Sequence, residues 1–363
     1  MDNLTTLARL FDEGAIDVEP GALFDKELAP KPKALSFDRV AGCLLGVAIG
    51  DALGNATEGK LPSARAARFG EIRHYLDHPV VGRAAGLPSD DTQLTFWTVE
   101  QLLADGGLVP EHLATRFCQG RIYGIGSAVS KALDRVRAGV EWHRAGSRSA
   151  GNGALMRTAP MLLPHLAVGG TAIWADTALS TLLTHNDRAA ITASLAWVAM
   201  LWELLDMSGP PPRTWWGERY CELAHDLEGD AEYSPRGGLF TSYTGPSWRF
   251  VQERLAWADA AQMPVLDACN AWFSGAYLLE TLPSVLYILM CHADDPEEAI
   301  VRAVNDTKDN DTVAAIVGAA VGALYGRAAY PAAWIEGLMG RTTDCDDGRV
   351  FALIEAAHLR FWH

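Results

Sequence analysis

Two short stretches, far apart in the chain, concentrate carboxylates and hydroxyls. One is Gly86-Leu87-Pro88-Ser89-Asp90-Asp91-Thr92-Gln93; the other is Asn305-Asp306-Thr307-Lys308-Asp309-Asn310-Asp311-Thr312. Each stands just ahead of an apolar run with helical spacing. Carboxylates this close together ionise at a cost unless a cation is near. Hard cations choose oxygen ligands and two ions can share a carboxylate, so paired acids and hydroxyls at two helix starts suit a two-ion magnesium site. Capping is the plainer reading of either stretch alone, with Ser89 and Asp309 as N-caps and the helix dipole favouring the acids beside them. Both stretches together point to metal.

Three other patterns could carry chemistry. The run from Gly42 to Gly54 reads as a helix with glycines four apart, followed by a turn bearing Glu58. A glycine costs a helix about 1 kcal/mol against alanine, so Gly42, Gly46 and Gly50 imply close approach of another helix. Glu58 either points at the metals or is a solvated surface acid. Gly151-Asn152-Gly153 forms a turn whose N–H groups can cradle phosphate or ribose oxygens, and Gly124-Ile125-Gly126-Ser127 is a weaker version of it. His185, between Thr184 and Asn186, stands at a helix junction, where capping or packing is the commoner role.

Helices must position these residues. Periodicity predicts them over about 38–53, 91–104, 110–118, 126–137, 171–183, 187–205, 214–227, 279–291, 296–304, 311–325 and 350–361. No alternating strands and no βαβ pattern stand out, so the fold class is all-α. Gly229 to about Trp248 is a long loop, and loops of that length within a compact domain are usually functional or mobile. Residues 1–37 form an acidic arm ahead of one domain over 38–363. Leu4, Leu7, Ala8 and Phe11 give the arm a short amphipathic helix over 3–13, and residues 1–25 carry six acids against one base, Arg9. Such an arm either packs on the body or docks on a partner.

The chain's 363 residues can bury a large core. Its 30 Lys+Arg against 45 Asp+Glu give a formal charge of −15, which argues against nucleic acid and anionic lipid as partners. Cys43, Cys118, Cys221, Cys269, Cys291 and Cys345 are scattered without a CxxC pair, and read as reduced buried thiols of a cytoplasmic protein. The first residues lack a secretory pattern. No apolar run reaches membrane-spanning length, the richest being Ala314 to Tyr325, which glycines interrupt.

Five elements occur in an order that resembles the ADP-ribosylglycohydrolases, the group containing the dinitrogenase-reductase-activating glycohydrolase and the ADP-ribosylarginine and ADP-ribosylserine hydrolases. They are Gly50-Asp51-Ala52-Leu53-Gly54 with Glu58; Ser89-Asp90-Asp91-Thr92; Gly151-Asn152-Gly153 running to Met156-Arg157; Thr184-His185; and Asp309-Asn310-Asp311-Thr312 running to Gly318, Gly322 and Gly326. The resemblance covers about residues 38–360. It implies a compact helical domain around a central binuclear site. Ser89, Asp90, Asp91, Asp309, Asp311 and Thr312 fall at metal-ligand positions for two magnesium ions per chain, with manganese as an alternative. Gly151, Asn152, Gly153 and His185 fall where the family holds ADP-ribose, and Gly126 and Ser127 are added as candidates for the same role. Asp90 and Glu58 are the candidates for acid–base work. Thr307 and Lys308 replace two glycines usual in the family, so Lys308 either contacts the diphosphate or narrows the pocket.

The implied reaction is hydrolysis of the bond joining ADP-ribose to a protein side chain, most simply arginine, through an oxocarbenium-like transition state. Some bacterial members with N-terminal extensions resemble immunity proteins, which makes an ADP-ribosyltransferase toxin a candidate partner for residues 1–37. A non-catalytic blocker acting through that arm is one alternative. An isoprenoid-diphosphate synthase is another, though Leu94 and Thr95 stand where that chemistry wants a further acid.

Overall fold

The computed structural model of the chain describes residues 2–32, 35–78, 81–344 and 346–362. Its helices are α1 (Asn3–Asp12), α2 (Phe37–Asn55), α3 (Pro62–Phe69), α4 (Asp90–Asp105), α5 (Pro110–Cys118), α6 (Ser127–Arg137), α7 (Trp142–Ala145), α8 (Ala172–Leu182), α9 (Arg188–Leu204), α10 (Trp215–Glu228), α11 (Ser247–Ala260), α12 (Val265–Ala271), α13 (Leu278–His292), α14 (Pro296–Asp306), α15 (Asn310–Tyr325), α16 (Ala332–Gly337) and α17 (Arg349–Phe361). Among the described residues the one sheet is a two-stranded antiparallel ribbon, Asp77–His78 against Arg83–Ala84. The fold is all-α, as expected.

Every helix expected from periodicity is present within a few residues of its expected ends. Those missed are short, except α11. That helix buries only Ser247, Phe250, Val251, Leu255 and Ala258, a narrow stripe between charged residues, so its apolar period is weak.

Two helices make the centre. All residues from Val40 to Gly54 of α2 and from Asn310 to Leu324 of α15 are buried. They lie so close that a Cβ on Gly42, Gly46 or Gly50 would overlap the backbone of Gly326, Gly318 or Ala314 respectively. The glycines are there for this approach. The Tyr330 hydroxyl sits 2.8 Å from the Gly42 carbonyl and 2.9 Å from that of Gly318, tying the pair together. The segment Asn310–Ala329 is long and apolar enough to cross a membrane by composition, contrary to the expectation that no run reaches that length. Here it is a core helix, with 83% of its apolar window buried in the fold.

The arm lies on the body. Asp2 caps α1 by accepting the Thr5 N–H at 2.7 Å, and Leu7 and Leu10 are buried. Asn3 Nδ2 donates to Asp176 Oδ1 at 2.6 Å, and Phe11 meets Phe24 edge-on. Farther along, Ile16, Val18 and Leu23 join the core, and Arg188 pairs with both Asp17 and Glu19. Of the apolar residues that give the arm its amphipathic helix, Leu7 is buried and Phe11 half-buried, while Leu4, at 45% exposure, and Ala8 are exposed. Burying apolar side chains within the chain is the more favourable outcome because it costs no association entropy. Cys43, Cys221 and Cys269 are buried as expected, whereas Cys118 and Cys291 are half-buried; Cys345 lies outside the described residues.

Candidate active site and metal centre

Three helix ends bring the acids together. Asp51 lies in the last turns of α2, Asp90 and Asp91 open α4, and Asp311 and Thr312 open α15. Ser89 and Asp309 stand at the N-cap positions of α4 and α15, yet neither side chain accepts a capping N–H bond. Capping therefore does not explain these two residues. Both helix dipoles point their positive ends at the cluster, which favours anionic side chains there.

Asp51 organises the first stretch. Its carboxylate accepts from Ser89 N at 3.0 and 2.9 Å, Ser89 Oγ at 2.8 Å, Thr92 N at 3.0 Å and Thr92 Oγ1 at 2.5 Å. Ser89 thus sits behind the cavity wall with its hydroxyl proton directed at Asp51, its oxygen 3.3 Å from Asp91 Oδ2. Asp309 Oδ2 accepts from Asn152 Nδ2 at 2.6 Å, while the same amide reaches Thr281 Oγ1 at 3.0 Å. The Asn152 side chain is accordingly an orienting group for Asp309, which differs from a direct ligand contact. Buried Arg65 braces the approach to α15: its guanidinium donates to the carbonyls of Val304, Asn305, Thr307 and Lys60.

This arrangement is electrostatically uncomfortable without cations. Burial pushes the Asp51 and Asp309 carboxyls up to about 6. Burial together with Asp51 and Glu58 pushes Asp90 up to about 8. Asp91 and Asp311 are driven well above the carboxylate range by burial and then by their neighbours' charge. Glu58 is raised too, by burial, with Lys60 opposing. Ligand oxygens of Asp51, Asp91 and Asp311 lie within 4.8 Å of one another, and Asp91 Oδ1 is buried without a hydrogen-bond partner. An orphaned carboxylate oxygen among hard oxygen donors fits a divalent cation.

Above the acids opens a cavity of about 250 Å³. Glu58, Asp90, Asp91, Asp309, Asp311 and Thr312 line it together with Gly126, Ser127, Gly151, Asn152, Gly153 and His185. Of the residues expected at the site, Ser89 alone does not reach the cavity. His185 is buried and held neutral, its pKa lowered to about 3 by burial and by Arg157. Thr184 Oγ1 accepts from Arg157 Nη2 at 2.9 Å and lies 2.9 Å from His185 Nδ1, while His185 Nε2 faces the Gly151–Gly153 turn.

Some of the lining was not expected. Arg236, from the long loop, reaches the cavity with its charge paired to buried Glu280 at 2.9 Å and its guanidinium over the Tyr277 ring. The loop's length was the only signal for it. Asp51 was visible in the Gly50-Asp51 motif but carried no role. Lys308 is a correction: its ammonium lies over the Phe273 ring and the residue lines a different cavity, so it does not narrow this pocket.

A family model described as ADP-ribosylglycohydrolase matches residues 32–360. An "ADP-ribosylarginine hydrolase Tri1" of Pseudomonas putida is 25% identical over 83% of this chain and 74% of its own. The mouse "ADP-ribosylhydrolase ARH3" is 26% identical over 85% of this chain and 89% of its own. A solved structure described as "ADP-ribosylglycohydrolase-related protein complex" superposes with a TM-score of 0.63, at 27% identity, over 90% of this chain and 99% of that one.

Proposed function

The chain belongs to the ADP-ribosylglycohydrolase family, and from that premise we propose that it hydrolyses ADP-ribosylated arginine side chains with two magnesium ions. The observation that carries this reading is one cavity lined by six oxygen-bearing side chains together with a glycine turn and a neutral histidine. The relative named for ADP-ribosylarginine supports the linkage. So does charge: Glu58 and Asp90 at the cavity face attract a guanidinium more than a neutral hydroxyl leaving group. Leu94 and Thr95, both fully buried in α4, offer no further acid for prenyl-diphosphate chemistry.

Bound cations would be held by Asp51, Asp91, Asp309 and Asp311 with Asp90, Thr312 and Ser89 beside them; they supply charge neutralisation and Lewis acidity for ribose hydroxyls and water. The chain's own residues do the rest. Backbone N–H groups at Gly151–Gly153 and the neutral His185 ring receive the diphosphate and fix the far ribose against the acids. The C1″–N bond breaks as positive charge develops on the ribose, and the surrounding carboxylates favour that charge. Of the pair Glu58 and Asp90, one accepts a proton from the attacking water and the other protonates the departing nitrogen, which leaves as guanidinium. Since Leu7, Leu10 and most of the arm's larger apolar residues pack on the body, opposition to a transferase would come from this hydrolysis.

The test is a linkage panel. The protein is incubated in magnesium with arginine-linked and serine-linked ADP-ribose, and free ADP-ribose is measured. Faster release from arginine is expected; release from serine alone would overturn the linkage, and release from neither would overturn the activity.

A further inference from the structure

A second, larger cavity of about 840 Å³ continues from the first, sharing Ser127, Ala128, Ser149 and Arg236 with it. Five of its lining residues are Lys131, Arg135, Arg144, Arg148 and Arg236, and no carboxylate lines it. In a chain of formal charge −15 this is a marked local reversal of sign. Arg236 is neutralised by Glu280, and Arg144 lies 3.6 Å from Glu141. Arg135 donates only to the carbonyls of Ala145 and Gly146, at 3.1 and 3.2 Å. Lys131 and Arg148 have no partner among the described residues, and both are exposed. Three cations in the groove thus lack a counter-charge.

The arm contributes to the groove: Gly14 and Ala15 line it, and Asn186 holds them there by donating to the Ala15 carbonyl at 3.0 Å while accepting the Asp17 N–H at 2.9 Å.

What it receives follows from the proposed function, on which this step rests. With the reacting ribose at the acids and the diphosphate at Gly151–Gly153, the adenosine leads past Ser127 and Ser149 into the groove. Adenosine is uncharged, so it brings the three unpaired cations no counter-charge and leaves their mutual repulsion in place. A dianion would reverse that sign, and a phosphomonoester is both compact and able to accept from several N–H donors at once. We propose that the groove binds a phosphomonoester carried on the adenosine ribose, so that the substrate class includes ADP-ribosyl groups phosphorylated at that end. Lys131 and Arg148 are the specificity-determining residues, and Arg135 supports them.

Calorimetric titration of the full chain in magnesium tests this with two ligands, ADP-ribose and ADP-ribose bearing a 2′-phosphate on its adenosine. Wild type is expected to bind the phosphorylated ligand at least about tenfold more tightly. The double variant Lys131→Ala, Arg148→Ala is expected to bind both alike, with its affinity for ADP-ribose within about twofold of wild type. Equal binding by wild type overturns the proposal, as does a preference that survives in the double variant. If the two ligands bind alike but the double variant slows hydrolysis of a modified protein and not of modified free arginine, the groove reads protein surface and the phosphate assignment falls. Failure of ADP-ribose itself to bind would instead contradict the proposed function.

Discussion

Asp51 and Ser89, thirty-eight positions apart, are joined by three contacts: the carboxylate accepts the Ser89 backbone N–H at 3.0 and 2.9 Å and its hydroxyl at 2.8 Å. The contact locks the end of α2 to the start of α4 and sets where Asp90 and Asp91 point. Replacing Asp51 by Asn keeps the shape but turns one acceptor into a donor facing Ser89 or Thr92. In magnesium, where the neighbouring charge is neutralised, Asp51→Asn is expected to lower stability by about 2–3 kcal/mol, read by denaturant unfolding. Hydrolysis should fall with it. Wild-type stability in the variant would show that Asp51 does not organise the site.

Gly46 and Gly318 transmit the fold to the chemistry. A Cβ on Gly46 would overlap the Gly318 carbonyl, forcing α2 away from α15 and so Asp51 away from Asp311. Gly46→Ala is expected to cost about 3 kcal/mol or more and to weaken magnesium-induced stabilisation, although no ligand residue is altered. Thermal melts with and without magnesium check both parts.

Metal-free stability should depend on pH in a direction opposite to ordinary acid denaturation. Burial raises Asp51 and Asp309 to about 6 and Asp90 to about 8, with Asp91 and Asp311 moved the same way. Between the ordinary carboxylate range and these values the folded chain holds protons that the unfolded chain has released. Their stabilising contribution is complete below about pH 4 and is lost as the pH climbs through 6 and then 8. In chelator the protein should melt lower near pH 8.5 than near pH 6, and magnesium should reduce or abolish that fall. A metal-free melting temperature that rises over this interval would contradict the reading.

The arm should behave as part of the body. Leu10 is fully buried, so Leu10→Ala is expected to destabilise the whole chain by about 2–5 kcal/mol in a single transition. A separate low-temperature transition in calorimetry, with the main one unmoved, would show the arm to be independent.

The helices and most of the site were legible because each leaves a local mark: apolar period for α2, α4 and α15, and clustered acids at their ends. Close approach of α2 and α15 was readable for the same reason, since glycines four apart in a helix have few other causes. What could not be read depends on contacts distant in sequence. Asn152 pointed to the ligand through its Gly-Asn-Gly turn, but its amide belongs to Asp309, 157 positions away. Lys308 was expected to contact the diphosphate or narrow the pocket, but its side chain lies over Phe273 in a different cavity. The basic groove left a local mark that was passed over: Lys131, Arg135, Arg144 and Arg148 all lie within residues 131–148, but two helices and a turn separate them and only the fold shows that they line one cavity.

The central claim is that the acids of α2, α4 and α15 hold the metal ions at which ADP-ribose is released. The most direct measurement is the initial rate of ADP-ribose release from ADP-ribosylated arginine, in magnesium and in chelator, for wild type and Asp311→Asn. Wild type should act in magnesium and fall silent in chelator, while Asp311→Asn should be slower by at least about a hundredfold in magnesium yet remain folded. Release at the full wild-type rate by both proteins in chelator would contradict the account.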